Sequence, residues 1–233
     1  MVTGVGPDLL AGATDRAGHR ALPWMAAPLL EAQQVLELCG GANGMLAAEF
    51  GPGRWIGVDP SAMPGPPGRR LRGDPAAVPL GTNEVDGVVL PLALPSLPDL
   101  DALFAELRRV LRPAGTLVIV VPAASPASLG ELRLAPLLRP VHRAWRHRSA
   151  LDRVGWLLAA ADFAVLGDDR GSFALPLPDA AAAYDLATRL PAAGLWPPDL
   201  PPDVAAAVAG RLAQRAGPGR VLPVPLRRLV ARR

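Results

Sequence analysis

The sequence predicts an α/β fold, doubly wound around a mostly parallel sheet, with an antiparallel last strand and a small helical insertion near the C-terminus. Three observations predict it. Short apolar runs alternate with longer amphipathic segments, which is the order typical of a parallel sheet flanked by helices. Two early runs end in an acidic residue, Glu37 and Asp59. The final run carries two prolines among apolar residues, as a sheet-edge or antiparallel strand does.

Length and composition favour one globular domain over residues 1–233. Half of the residues are apolar, although 28 prolines and 24 glycines interrupt the chain. All basic residues are arginine and the formal net charge is only +3, so no nucleic-acid partner is predicted. No apolar run approaches the ~20 residues of a membrane span, and no signal-like leader is visible. We therefore expect a cytoplasmic protein.

The first third of the chain predicts a β-α-β unit. A helix is expected over Arg20–Gln34, where apolar residues recur at helical spacing. A strand over Val35–Leu38, a helix over Asn43–Phe50 and a strand over Arg54–Asp59 follow. The proline-rich segment Pro60–Gly73 predicts a short helix or a loop in place of a regular crossover helix.

Alternation continues in the middle of the chain. A buried strand is expected within Glu84–Leu94 and another over Gly115–Pro122, because both runs are almost wholly apolar. The amphipathic segment Leu97–Leu111 between them predicts a helix that begins near Asp99 or Asp101 and ends in arginines.

The last part of the chain predicts helices and two long strands. After a basic, mixed segment, the expected elements are a helix over Ala150–Phe163, a strand over Ala164–Pro178 bent at Gly167–Gly171, helices over Asp179–Leu190 and Pro202–Ala216, and a final strand over Gly219–Arg233.

The stretch VLELCGGANG forms an acid-and-glycine motif after the first strand. Glu37 is the acid, and Cys39, Gly41 and Asn43 occupy three alternating positions. This pattern resembles the first motif of class I S-adenosylmethionine (SAM)-dependent methyltransferases of the small-molecule, type 11 kind, in which those positions are glycines. Gly41 would let the backbone approach the methionine part of SAM. Asn43 would tolerate a positive φ better than other non-glycine residues.

Later motifs support the same resemblance, in order and at workable spacing. Asp59 matches the acid that holds the ribose hydroxyls, since each carboxylate oxygen can accept one proton. Asp74, in GDPAAVPL, matches the residue that contacts the adenine amino group. The turn and strand LRPAGTLVIVVP match the family after the fourth-strand helix. Amides at the start of the helix after Asn43 would bind the methionine carboxylate.

The resemblance implies a Rossmann-like methyltransferase that takes SAM as cofactor and a small, apolar or amphiphilic metabolite as substrate. Residues 1–34 would form an N-terminal helix region, 35–122 the SAM-binding core, and 123–233 the substrate side, with a helical lid and the last strands. The cofactor-binding candidates are Glu37, Cys39, Gly41, Asn43, Asp59 and Asp74.

Candidates for a general base are weaker. The fourth motif of the family often carries polar residues where this chain has Leu90, Pro91 and Pro95. The remaining candidates are His142 and His147, in a basic segment that would bind an anionic substrate group, and Tyr184 in the helical lid. No signature of a metal site, P-loop or serine hydrolase is present.

Each candidate also has a purely structural interpretation. Glu37 and Asp59 could cap helices, Asp74 could belong to an ordinary Gly-Asp-Pro turn, and Cys39 could be a small packing residue. The basic segment could be a solvated face. Two other functions stay open: a catalytically degenerate scaffold or partner-binding module on the same fold, and a SAM-binding enzyme with another reaction such as cyclisation. The oligomeric state is not predicted.

Overall fold

A computed structural model describes residues 8–51, 53–63, 70–126 and 128–233, and these residues form a doubly wound α/β fold. The strands of its sheet lie in the order β3-β2-β1-β4-β5-β7-β6. Their bounds are β1 Val35–Leu38, β2 Trp55–Asp59, β3 Arg70–Arg72, β4 Val85–Pro91, β5 Leu111–Pro122, β6 Ala164–Pro176 and β7 Val221–Arg232.

Strands β1 to β5 pair in parallel, whereas β7 is antiparallel to both of its neighbours. The predicted mostly parallel, Rossmann-like sheet with an antiparallel last strand is confirmed. The central strands are buried along their length because helices cover both faces of the sheet, which explains their nearly continuous apolar sequences.

The antiparallel pair of β6 and β7 extends past the end of β5. The ladder between β5 and β7 stops at the pair Pro122–Leu226, whereas β6 and β7 stay paired to Pro176–Val221. Both β7 prolines, Pro223 and Pro225, fall in this extension, where the missing N–H groups cost no bond to β5. Strand β6, not β7, is therefore the outer strand at this side.

The helices are α1 Asp8–Ala11, α2 Ala21–Ala26, α3 Ala47–Phe50, α4 Leu100–Val110, α5 Leu129–Arg143, α6 Ser149–Asp152, α7 Val154–Ala160, α8 Ala180–Arg189 and α9 Pro202–Ala213. Alternate residues of each central strand pack into two separate apolar clusters, one on each face of the sheet; Val118 and Val120 belong to one, Leu117 and Ile119 to the other. No helix in the described ranges has the length and apolar character of a bilayer-spanning segment.

Two predicted helices are shorter than expected. The one expected over Arg20–Gln34 stops as an α-helix at Ala26 and continues only as a 3-10 turn to Leu29. Pro28 has no N–H to donate to the Trp24 carbonyl, and that carbonyl accepts from Arg228 instead. The helix expected from Asn43 comprises only Ala47–Phe50, because the loop extends further than its sequence indicates.

Four further features differ from the sequence prediction. The helix expected over Ala150–Phe163 breaks at Arg153, which leaves α-helical geometry with a φ of −117° and a ψ of 25°. Helix α5 runs through Pro136 and Pro140. The sequence did not predict this helix, because proline usually ends one. The irregularity in β6 lies between Val165 and Gly167, at the start of the predicted bend. Strand β3 is also new; of the segment Pro60–Gly73, residues 64–69 lie outside the described residues.

Helix α4 begins where the sequence predicted. The Asp99 side chain accepts a hydrogen bond of 2.9 Å from the Ala102 backbone N–H and caps the helix. Leu103, Phe104 and Leu107 bury one face of the helix. The cap therefore fixes the register in which these side chains meet the sheet.

We expect Asp99→Ala to lower the free energy of unfolding by about 1 kcal/mol, because it leaves an N-terminal amide of α4 without its acceptor. Asp101→Ala, two residues later in the first turn of α4, is the matched control. It removes only an exposed interaction with the helix dipole, which stabilises the helix by about 0.3 kcal/mol. Urea unfolding of both variants measures the difference. Equal losses would show that Asp99 is not the cap on which α4 depends.

Candidate functional site

A cavity of about 300 Å³ lies at the carboxyl ends of β1, β2 and β4. In doubly wound sheets this edge is where ligands bind. The loop after β1, the end of β2, the turn after β4 and a segment between α8 and α9 form its walls. The lining residues are Cys39–Gly41, Met45, Asp59–Ser61, Pro91–Ala93, Ser96, Pro191–Gly194 and Pro198.

Glu37 does not line this cavity but is buried beneath the loop, with 1% of its surface exposed. Its carboxylate accepts hydrogen bonds from the backbone N–H groups of Met45 at 2.6 Å and Leu46 at 3.1 Å. The Trp55 indole N–H donates a third bond at 2.7 Å. The acid of the first motif therefore joins β1, β2 and the segment leading into α3.

The carboxylate of Glu37 explains two glycines of the loop. A Cβ on Gly40 would lie 1.9 Å from the Glu37 Oε1 atom, and a Cβ on Gly44 would lie 2.2 Å from the Trp55 ring. Gly44 also has a φ of 76°, which disfavours a side chain for a second reason. These glycines are thus required by the packing beneath the loop.

The amides predicted to bind the methionine carboxylate are already used. Met45 and Leu46 donate to Glu37, and α3 is only four residues long. The Gly41 N–H donates to the Asp59 carboxylate at 2.9 Å. These three amides therefore have partners within the protein, and the anion site at the helix start stays a prediction.

Asp59 lies at the cavity wall at the end of β2, with 9% of its surface exposed. Besides the Gly41 N–H, it accepts bonds from the N–H and the hydroxyl of Ser61, at 2.7 and 2.5 Å. Both oxygens are thus held in fixed directions beside the cavity. Gly41 has a φ of 84° and open space within 4 Å of where a Cβ would stand, so the backbone there is accessible from the cavity.

Cys39, the first replaced glycine, lines the cavity and has a φ of 58°. Burial, followed by the charges of Asp59 and Asp74, raises the pKa of its thiol to about 12. A neutral thiol is a weak nucleophile. Cys39 therefore acts as a small side chain at a left-handed turn.

Asn43 does not have the positive φ expected of it; the left-handed positions of this loop are Cys39, Gly41 and Gly44. Its side-chain oxygen accepts from Arg70 at 3.1 Å on the exposed side of the loop. Asn43 is tolerated because it faces solvent, and it does not fill the cavity.

Asp74 is exposed and accepts a 2.8 Å bond from the Ala76 N–H, as in the ordinary turn that was one interpretation of its sequence. It does not line the cavity. Its charge nevertheless contributes to the raised pKa of Cys39, which places it near the same end of the sheet.

The wall opposite Asp59 is apolar and was not predicted as a unit. Leu92, just after β4, is 1% exposed and has a φ of 61°. A Cβ on Gly194 would lie 2.9 Å from the Leu92 Cβ, so the segment 191–198 packs closely on the turn after β4. The Pro-Ala-Ala-Gly sequence signals a turn, but nothing in it indicates which strand it meets. Ser61 and Ser96 were also missed as lining residues.

None of the three candidate bases lines the cavity. His142 faces a small recess beside Glu131 and Pro223, and burial lowers the pKa of its imidazole. His147 lies behind the wall, where its backbone N–H donates to the Pro95 carbonyl at 3.0 Å. Tyr184 lies on α8 with 52% of its surface exposed. The basic segment around the histidines therefore does not form the rim of this cavity.

Residues 36–119 match the Methyltransf_11 family model, which describes a methyltransferase domain. Over these residues, about a third of its length, the chain is similar to a methyltransferase domain. The match spans β1 to β5 and so includes the loop, Asp59 and the turn after β4. Together with the fold, it confirms the resemblance to class I SAM-dependent methyltransferases and supports SAM-dependent methyltransferase activity. Among curated proteins, no sequence matches the chain.

Solved structures share the fold of this chain over most of their length. A Bacillus halodurans protein described as a methyltransferase is 15% identical, with a TM-score of 0.57, 91% of this chain covered and 97% of that one. A Thermotoga maritima protein described as a SAM-dependent methyltransferase is 11% identical, with a TM-score of 0.51 and coverages of 91% and 87%.

The cyclase SpnF is also similar in fold to this chain. It is 16% identical, with a TM-score of 0.55, and 91% of this chain and 79% of SpnF are covered. The fold therefore accommodates more than one reaction.

Glu37 predicts a pH dependence of stability. Burial raises the pKa of its carboxyl from 4.5 to about 7, so the folded protein retains a proton that the unfolded chain releases near pH 4.5. The free energy of unfolding should therefore fall as the pH rises through this window, by about 3 kcal/mol at 1.36 kcal/mol per pH unit. Urea unfolding from pH 4 to pH 8 measures it.

Glu37→Gln is the control for this pH dependence, because glutamine does not titrate in this range. The variant should lack the part of the decline between pH 4.5 and 7 that Glu37 causes. If both proteins show the same decline, Glu37 is not the titrating group.

Proposed function

We propose that this methyltransferase domain binds SAM in the cavity at the carboxyl ends of β1, β2 and β4, and transfers its methyl group to a small, apolar or amphiphilic metabolite. The observation that carries the proposal is one cavity bounded by Gly41, the Asp59 carboxylate and an apolar wall. When bound, SAM would supply an electrophilic methyl group on its sulfonium sulfur.

The residues of the cavity fit the cofactor. A carboxylate with two oriented oxygens suits a ribose diol, and Asp59 has this arrangement at the wall. The open space at Gly41 would receive the part of the cofactor that must approach the backbone. Glu37 would act indirectly, by holding the loop. Cys39 would contribute its small volume; for Asn43 and Asp74 we propose no direct contact.

The apolar wall supports the proposed substrate class. Pro91, Leu92 and Ala93 face the same cavity as the segment 191–194, and among the described residues that line it only Cys39 and Asp59 titrate. Without a base of its own on this wall, the domain would accelerate transfer by holding the acceptor in line and excluding water. The Ser96 hydroxyl would orient an acceptor heteroatom.

Calorimetric titration with SAM and with its demethylated product tests the cofactor assignment. We expect both to bind, and absence of binding by either at high micromolar concentration would contradict it. Transfer of a labelled methyl group from SAM to a panel of phenols, aliphatic alcohols and amines then tests the acceptor class. Transfer only to proteins or nucleic acids would overturn the small-molecule proposal.

Gly41→Ala should weaken SAM binding about tenfold or more, which corresponds to at least about 1.4 kcal/mol, because the methyl group would project into the cavity. Gly51→Ala is the matched control: Gly51 also has a positive φ and open space around it, but it does not line the cavity. Both variants should lose about 1 kcal/mol of stability from backbone strain. Equal SAM affinities in the two variants would remove Gly41 from the site.

Asp59→Asn should weaken SAM binding by roughly 10- to 100-fold, the range expected when hydrogen bonds to a charged group are lost. Asp86→Asn is the control, because Asp86 likewise accepts two backbone bonds, from Gln33 and Gln34, but at the start of β4. Its SAM affinity should stay within about twofold of the parent. A small effect of Asp59→Asn would show that the carboxylate only fixes the loop.

A further inference from the structure

A second cavity, of about 1000 Å³, lies on the β6–β7 side of the sheet. The antiparallel pair β6–β7 extends there past the end of β5. The start of α5, the end of α9 and residues 14–17 form the remaining walls. We call it the β6–β7 groove. It shares no lining residue with the cavity proposed to bind SAM, the cofactor cavity, so it is a separate site.

Five arginines from different parts of the chain line the β6–β7 groove, and all are exposed: Arg16, Arg133, Arg170, Arg215 and Arg220. Within the described residues, none of them forms an ion pair. By contrast, Arg109, Arg189, Arg227 and Arg228 each pair with a carboxylate.

The groove's own polar groups leave this positive charge uncompensated. Arg170 and Arg215 each donate one bond to a backbone carbonyl, of Ser125 and Arg211, which removes no charge. Two acids line the groove. Asp15 pairs with His19, and Glu131 is buried and accepts from the Ser172 hydroxyl at 2.5 Å. Five guanidinium groups and two acids give the groove a net positive charge.

The floor of the β6–β7 groove is apolar. Leu134, Ala216 and Pro223 line it and are partly exposed, and Val221 is 50% exposed. The side chains beneath them, Phe173, Leu177, Leu212 and Leu222, are each no more than 3% exposed and form the core under the floor. A site with an apolar floor and a guanidinium rim offers two different interactions to one ligand. The floor can cover an aromatic or aliphatic body, and arginine binds carboxylate or phosphate through paired N–H groups.

We propose that the β6–β7 groove binds an amphiphilic organic anion, with its apolar body on the floor and its carboxylate or phosphate among the arginines. The concave shape favours a compact ligand over a nucleic acid, whose phosphates follow one another along a strand and would leave the apolar floor uncovered. The proposal does not depend on SAM binding.

Calorimetry with 1-naphthyl phosphate, 1-naphthol and inorganic phosphate tests the groove. The naphthyl phosphate should bind at least about tenfold more tightly than either fragment, because it alone uses both floor and rim. Arg133→Gln and Arg220→Gln should each weaken it about tenfold, as loss of a bond to a charged group does. Arg143→Gln, an exposed arginine on the same helix as Arg133 but outside the groove, should change the affinity less than twofold.

The opposite results would overturn the proposal. Equal binding of the naphthyl phosphate and either fragment would contradict the two-part site, and unchanged affinity in both groove variants would place the anion elsewhere. A short DNA that binds more tightly than the naphthyl phosphate, and is weakened by Arg143→Gln as much as by Arg133→Gln, would indicate a nucleic-acid surface. Thermal unfolding of each variant verifies folding, and unchanged SAM binding in the groove variants separates this test from that of the cofactor cavity.

Discussion

The buried carboxylate of Glu37 is the constraint on which the loop after β1 depends. It accepts bonds from Met45, Leu46 and Trp55, so one side chain of β1 fixes both the neighbouring strand and the approach to α3. An unmade bond to any of these buried donors would cost about 1–3 kcal/mol. The backbone path of the loop is therefore set from below, by the interior, rather than by contacts on the cavity side.

This arrangement explains which glycines of the loop were replaced. Gly40 and Gly44 pack against the Glu37 and Trp55 side chains and have no room for a Cβ. Cys39 faces the cavity and Asn43 faces solvent, where small or polar side chains are accommodated. Departures from the family pattern thus fall where the packing permits them, and they are not by themselves signs of a lost site.

Two of the five described non-glycine residues with a left-handed φ lie at the proposed cofactor site. Cys39 and Leu92 are non-glycine residues with left-handed φ values, at the ends of two adjacent parallel strands, and both line the cavity. Such conformations persist only where the surroundings enforce them. The Leu92 N–H donates to the Val120 carbonyl at 2.8 Å, and Gly194, about a hundred residues later in sequence, leaves no room for a Cβ beside Leu92. Residues 191–194 and the strand ends therefore line the same cavity.

The sequence by itself determined the alternation of the main strands and helices, the antiparallel last strand and the glycine-rich loop after β1. Those features follow from periodicity, from acids at strand ends and from glycines, which act over a few residues. The proline-containing helix α5 was missed because a local breaking signal was outweighed by the apolar contacts of Leu137 and Val141.

Only the tertiary structure decided what each predicted site residue contacts. It placed Glu37 beneath the loop, Asp59 at the cavity wall, and the histidines and Tyr184 away from it. It also brought together the arginines of the β6–β7 groove, which lie far apart in sequence. The physical reason is that hydrogen-bond partners and charge clusters form between segments that are distant in sequence. The order of the strands in the sheet decides which of these segments become neighbours, and no local sequence pattern encodes that order.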